Sequence, residues 1–179
     1  ETLSGFQLAI KKQFPAAAVS IGGKLLALAR KYKKPCIQLS DTKIQPRSAL
    51  GFSVKALLKL IGNRKASEEA SELSKLLKSY ELERAGKNLA KKLKGRVPII
   101  YSSKRNSGIG YNWKIKFNET GKIPAFTNVF PELNHNEMNG FDVKDSTREL
   151  SKDFYFLFLK DASDHPKILK RMNILKDIF

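Results

Sequence analysis

The order of short apolar segments and amphipathic segments in the first sixty residues constrains the fold of this chain most. Residues 16–21 (AAAVSI) and 35–40 (PCIQLS) each predict a strand, because they are short, apolar and bounded by turn residues. Residues 24–33 between them and residues 48–61 after them each predict a helix. This order of strand, helix, strand and helix is typical of a parallel sheet that is covered by helices, so we predict an α/β fold.

The second half of the chain follows the same order of elements. Residues 67–94 predict one long helix that begins at a capping Ser67 and bridges two sheets. Residues 96–103 (RVPIIYSS) predict a strand, and a loop rich in Gly, Ser and Asn is expected from there to Gly110. Residues 154–161 (FYFLFLKD) predict a buried strand, and the residues that follow predict a closing helix.

The chain is strongly basic, with 34 Lys and Arg residues against 17 Asp and Glu residues and a formal net charge of +17. Such an excess favours anionic partners such as nucleic acid, acidic lipid or phosphorylated metabolites. The basic residues are spread along the chain, and no predicted surface interleaves them with aromatic residues, so we predict no nucleic-acid partner. The densest basic segment, residues 84–96, fits the solvated face of the predicted long helix.

Cysteine content and hydropathy predict the compartment. The single cysteine, Cys36, cannot form an internal disulfide, and its apolar surroundings predict a buried strand residue in a reducing compartment. Every apolar run is shorter than the ~20 residues of a membrane-spanning helix, and the first residues show no signal-peptide pattern. We therefore expect a cytoplasmic protein with no membrane partner.

No His, Cys and Asp cluster has the spacing of metal ligands, so we predict neither a metal nor a cofactor.

Residues 112–137 (NWKIKFNETGKIPAFTNVFPELNHNE) contain the candidate catalytic groups, the carboxylate of Glu119 and the imidazole of His135. Both groups can move protons near neutral pH. Taken alone, each residue is more often a surface or structural residue, so the motif context decides. The other histidine, His165, stands at a predicted helix start and is expected to be a capping or surface residue. Gly22-Gly23-Lys24, a turn from a strand into a helix, is a weak candidate for anion binding.

Six segments of the chain carry a resemblance to a known family. In order along the chain they are SIGGKLLALA (20–29), IQPRSALGF (44–52), VPIIYSS (97–103), KFNETGKIPAF (116–126), FPELNHNEMNGF (130–141) and FLFLKDASDHPKILKRM (156–172). The most specific element is PELNHNE, which follows an NE-x-x-K motif. Together, the segments resemble the bifunctional phosphoglucose/phosphomannose isomerases, a family built from two sugar isomerase (SIS) domains.

The resemblance implies two partial SIS domains with parallel sheets flanked by helices. Residues 1–64 would be the remainder of the first domain, residues 65–95 a connecting helix, and residues 96–179 the first part of the second domain. In the family, a phosphate-holding Ser-Gly-Asn-Thr loop would precede Glu1, and further strands, helices and a catalytic lysine would follow Phe179. We therefore expect the central portion of an isomerase, truncated at both ends, that isomerises poorly on its own.

The resemblance further implies the isomerisation of glucose or mannose 6-phosphate to fructose 6-phosphate, a cytoplasmic step of glycolysis and gluconeogenesis. Glu119 would move the proton between C1 and C2, and Arg47 would stabilise the enediolate. His135 would assist ring opening in the active site of the partner subunit of an obligate homodimer. An alternative is a non-catalytic SIS module that only binds a sugar phosphate. Such a module has no need of both Glu119 and His135.

Overall fold

The computed structural model describes residues 1–141 and 144–179, which form two compact units, Glu1–Leu82 and Glu83–Phe179. The fold is α/β, with parallel strands flanked by helices, as the sequence predicts. The helices and strands of the described residues are α1 (Thr2–Lys11), β1 (Ala18–Ser20), α2 (Gly23–Lys31), β2 (Cys36–Gln38), α3 (Leu50–Leu60), α4 (Arg64–Leu76), α5 (Ser79–Lys92), β3 (Val97–Ser103), α6 (Ser107–Lys116), β4 (Phe126–Phe130), α7 (Arg148–Ser151), β5 (Phe154–Leu159) and α8 (Pro166–Ile178).

The first unit contains a two-stranded parallel sheet. Strand β1 pairs with β2 in the register of Ala18 opposite Cys36, and α2 is the crossover between them. Leu26 and Ala29, three residues apart on α2, are buried against Ala18 and against Phe6 of α1. The predicted strands and the crossover helix are therefore confirmed. Cys36 lies in the predicted strand, but it is half-buried at the border of this cluster.

The second unit contains a three-stranded parallel sheet in the order β4-β3-β5. The central strand β3 is buried from Pro98 to Ser103, because it has a paired neighbour on each side. The buried core of this unit combines residues of β3, of β4 and the turn that follows it, and of α8. Its buried members are Ile99, Tyr101, Phe130, Leu133, Met172 and Leu175.

The single helix predicted for residues 67–94 is wrong, because the structure has two helices, α4 and α5. Helix α4 ends where Leu77 adopts an extended backbone, a break without the Gly or Pro that would announce it in the sequence. The predicted cap at Ser67 is also wrong, because α4 begins three residues earlier. Asn63 caps it, and its side-chain oxygen accepts a hydrogen bond from Ala66 N–H at 3.0 Å.

Two further differences concern the second sheet. The predicted loop after β3 is half helical, since α6 begins at Ser107. The sequence analysis missed β4, whose segment FTNVF is short and does not alternate regularly between polar and apolar residues. Strand β5 is confirmed, but all its residues are half-buried, because it lies at the border of the described sheet instead of its centre.

None of the helices in the described part of the chain is long and apolar enough to span a bilayer.

Helix α6 lies so close to the second sheet that one position requires glycine. A Cβ atom added at Gly110 would lie 3.0 Å from Ser102 Oγ on β3 and 3.0 Å from Thr127 Oγ1 on β4. Thr127 Oγ1 is itself held by a hydrogen bond of 2.9 Å to the Ile100 carbonyl, so it cannot easily move away. The missing side chain at Gly110 therefore sets the distance between α6 and the sheet.

We predict that Gly110→Ala lowers the free energy of unfolding by about 1–3 kcal/mol, because the added methyl group overpacks this contact. The matched control is Gly108→Ala on the same helix, where an added Cβ meets nothing within 4 Å. That exposed change is expected to stay within about 0.5 kcal/mol of the parent chain in urea unfolding. Equal stability of the two variants would contradict the close approach of α6.

Candidate active site

Glu119 lies on a π-helical turn, Phe117–Gly121, that continues α6. Since α6 starts after the carboxyl end of β3 and the chain next enters β4, this turn lies at the amino ends of the strands. Lys122 ends the turn in the left-handed conformation, and the Asn118 side-chain amide donates a hydrogen bond of 2.9 Å to the Ile123 carbonyl. The Glu119 side chain is exposed at this amino edge of the second sheet.

His135 lies at the opposite edge of the same sheet. It follows a 3₁₀ turn, Glu132–Asn134, that comes directly after β4 and Pro131. Its backbone N–H donates to the Glu132 carbonyl at 2.9 Å, and its own carbonyl accepts from the Asn139 side chain at 3.0 Å. The side chain is exposed, although Leu133, two residues earlier, is fully buried.

The second unit therefore does not bring its two candidate groups together. Between Glu119 and His135 lies the whole of β4, whose five residues extend about 16 Å. One carboxylate and one imidazole are thus presented at opposite ends of one sheet. The backbones of these two residues are therefore separated, within one unit, by about the length of the strand.

Arg47 belongs to the first unit, on a 3₁₀ turn, Pro46–Ser48, between β2 and α3. It is half-buried. The preceding residue, Pro46, lines a cavity of about 240 Å³ together with residues that follow β1 and β2 and residues at the start of α3. The Gly22-Gly23 turn lies at the same carboxyl edge, and Gly23 has a φ of +79°, which favours glycine. Ligands of parallel sheets bind at such edges. The role of Arg47 in stabilising an enediolate stays a prediction.

A hydrogen-bonded cluster beside His135 was not identified in the sequence. The Tyr101 hydroxyl on β3 donates to Glu137 Oε1 at 2.8 Å, and the Asn128 side-chain amide on β4 donates to Glu137 Oε2. Burial, and then the hydrogen bond and charge of Glu137, raise the pKa of the Tyr101 phenol well above its ordinary value. The one feature of the sequence that could have pointed to this cluster is Glu137, the last residue of the PELNHNE segment.

A second polar cluster joins the loops that follow β3 and β5. The Asn106 side chain donates to Asp161 at 3.2 Å and to Asp164 at 3.3 Å, and Arg105 donates to the Ser163 carbonyl at 2.9 Å. The Ser163 backbone N–H and then the Asn106 amide hold the pKa of the Asp161 carboxyl below its usual value.

Within residues 1–141 and 144–179, no group of three or more His, Cys, Asp or Glu side chains could hold a metal ion.

His165 has a structural position, as the sequence predicts. It is the N-cap residue of α8, and its Nδ1 accepts a hydrogen bond from the Lys167 backbone N–H at 3.2 Å. Pro166 occupies the first helical position, where its missing N–H costs nothing.

The chain has parallel sheets flanked by helices, and its candidate acid–base groups lie in turns before and after β4. This arrangement is that of an α/β protein of the sugar isomerase (SIS) type. The family model of the bacterial phospho-glucose isomerase C-terminal SIS domain matches residues 82–179, and the chain belongs to this family.

Relatives extend the similarity to nearly the whole chain. The alignments with bifunctional phosphoglucose/phosphomannose isomerases from Aquifex aeolicus and Caldicellulosiruptor bescii cover 99% of the chain. Over that length the sequence identities are 34% and 38%. The corresponding enzyme of Thermoplasma acidophilum is 33% identical to 99% of the chain. The aligned parts are 54%, 56% and 54% of these three proteins, so the chain spans about half the length of the relatives it matches. No solved structure gives a significant match.

We predict that His165→Ala lowers the free energy of unfolding by about 1 kcal/mol, because α8 loses its cap. His165→Asn is the matched variant, since asparagine caps helices well and should keep most of that stability. Urea unfolding of the two variants measures the difference. An alanine variant as stable as the asparagine variant would show that the His165 side chain does not stabilise α8.

Proposed function

We propose that this chain is part of an isomerase that converts glucose or mannose 6-phosphate into fructose 6-phosphate. The observation that carries the proposal is the similarity of 99% of the chain to proteins named bifunctional phosphoglucose/phosphomannose isomerase. The chemistry of the exposed Glu119 and His135 side chains supports it, because aldose–ketose isomerisation needs a base and a ring-opening acid. On this proposal the enzyme works in the cytoplasm, in glycolysis and gluconeogenesis, and uses no cofactor.

In the proposed mechanism, His135 donates a proton to the ring oxygen of the cyclic sugar while a solvent water takes the proton of the C1 hydroxyl, which opens the ring. The Glu119 carboxylate then removes the proton from C2 of the aldose, and the electrons of that C–H bond form a cis-enediolate. The guanidinium of Arg47 stabilises the negative oxygen. Return of the proton from Glu119 to C1, with a proton shift from O2 to O1, gives the ketose.

We also propose that each active site uses residues of two subunits. The length of β4 supports this, because the backbones of Glu119 and His135 of one unit lie at opposite ends of a strand that extends about 16 Å. In a two-fold symmetric homodimer, His135 of each subunit would complete the site that contains Glu119 of the other. The same proposal assigns residues 1–64 to part of a first SIS domain, residues 65–95 to the connection, and residues 96–179 to part of a second SIS domain.

The first test is Glu119→Gln in the complete gene product that contains these residues. The amide cannot accept the proton that moves between C1 and C2, which is taken from C1 when fructose 6-phosphate is the substrate. Turnover of fructose 6-phosphate should therefore fall roughly 10²- to 10⁴-fold, while its binding changes little. Glu149→Gln, an exposed glutamate on α7, is the matched control and should leave turnover unchanged. A parent protein that binds the sugar phosphate without any turnover would instead identify the non-catalytic SIS module.

The second test is complementation between two inactive variants. Co-expression of Glu119→Gln and His135→Ala chains should restore up to about a quarter of the parent activity. Half of the randomly formed dimers then pair the two variants, and one of the two sites in each such dimer has both residues. A Glu119→Gln chain mixed with a double variant is the control, because no intact site can form. Equal activity in the mixture and the control would contradict the shared site.

A further inference from the structure

We infer that Glu137 is a positioning residue, which fixes the turn that presents His135 by binding it to the buried strands β3 and β4. The inference rests on the proposed catalytic role of His135, but the contacts that carry it are those of Glu137. This residue is two positions beyond His135 and is half-buried, whereas the histidine side chain is exposed.

Both carboxylate oxygens of Glu137 are occupied by donors from the sheet. Oε1 accepts from the Tyr101 hydroxyl at 2.8 Å, and Oε2 accepts from the Asn128 side-chain amide. The Tyr101 ring is fully buried and contacts Phe130, Phe156 and Phe158, with ring centroids 6.1, 5.6 and 5.7 Å away. The donor that holds Glu137 therefore cannot move independently of the core.

The turn is also held on the other side of His135. Leu133, two residues before it, is fully buried in the same core cluster, and the partly buried Met138 packs against that cluster. Together, Leu133 and Glu137 attach the turn to the core at positions equally far from the histidine. The backbone between them can then adopt few conformations.

The chemical types of these groups suit a permanent attachment. A tyrosine hydroxyl is protonated near neutral pH, and the raised pKa of Tyr101 keeps it a donor to the carboxylate at alkaline pH as well. Hydrogen bonds to an ionised group are stronger than those between neutral groups. A catalytic group held in this way has little conformational freedom left to lose when the substrate binds. This raises the rate of the chemical step more than it raises the affinity for the substrate.

The experiment measures the order of the His135 backbone amide by ¹⁵N relaxation in the complete gene product that contains these residues, labelled at histidine. His165, the other histidine of these 179 residues, serves as an internal reference on α8. In the parent chain we expect an order parameter of about 0.85 for both, as in rigid backbone. In Tyr101→Phe and Glu137→Gln, the value at His135 should fall below about 0.6 while that at His165 does not change.

Tyr101→Phe keeps the aromatic ring in the core and removes only the hydroxyl, so it tests the inference even if Glu137→Gln fails to fold. Glu132→Gln is the matched carboxylate control, because Glu132 is in the same turn but its side chain accepts a hydrogen bond from the exposed Asn136 instead of from the buried strands. Ile99→Val removes one buried methyl group from the same strand and controls for a general loss of stability. Both controls should leave the order of His135 unchanged.

Kinetics in the complete gene product separate positioning from general stability. Tyr101→Phe should lower kcat by about 10- to 100-fold with little change in KM, whereas Ile99→Val should change neither. Increased motion of His135 in a protein without isomerase activity would support the positioning role of Glu137 and contradict the proposed function. A His135 amide that stays as ordered in Tyr101→Phe as in the parent chain would overturn the inference.

Discussion

The arrangement of the second sheet and of its crossover connections depends on the burial of strand β3. This strand is hydrogen-bonded on both sides, to β4 and to β5, and its residues from Pro98 to Ser103 are buried. A parallel strand needs a crossover to reach its neighbour, and α6 is that crossover between β3 and β4. Every crossover carries the chain from the carboxyl edge of the sheet back to the amino edge. The positions of the Glu119 and His135 turns follow from this single rule.

The same rule limits how an active site can be built from these residues. Residues that follow a strand gather at the carboxyl edge, where His135 and the Asn106 cluster are found. Residues that end a crossover helix gather at the amino edge, where Glu119 is found. The base and the acid of the proposed isomerase are thus presented at opposite edges of one sheet. The symmetric pair of subunits that we propose would place an amino-edge base of one copy beside a carboxyl-edge acid of the other.

The sequence predicts the class of fold because alternating apolar and amphipathic segments report burial, and burial decides which strands and helices form. It does not predict the break between α4 and α5, where Leu77 turns extended without a helix-breaking residue. It also misses β4, whose pairing with β3 depends on residues about 27 positions apart, such as Ile100 and Thr127. Periodicity measures only local order, so contacts across the sheet are invisible to it.

Candidate catalytic residues were found by motif, but the residues that hold them were not, and the two histidines show why. His165 uses its ring nitrogen Nδ1 to cap α8, so that atom is committed to structure. His135 is held through its backbone N–H and carbonyl, and its turn is attached to the core through Leu133 and Glu137. These contacts fix the backbone of the turn while the imidazole itself stays exposed. Only the three-dimensional contacts distinguish such a side chain from a capping histidine.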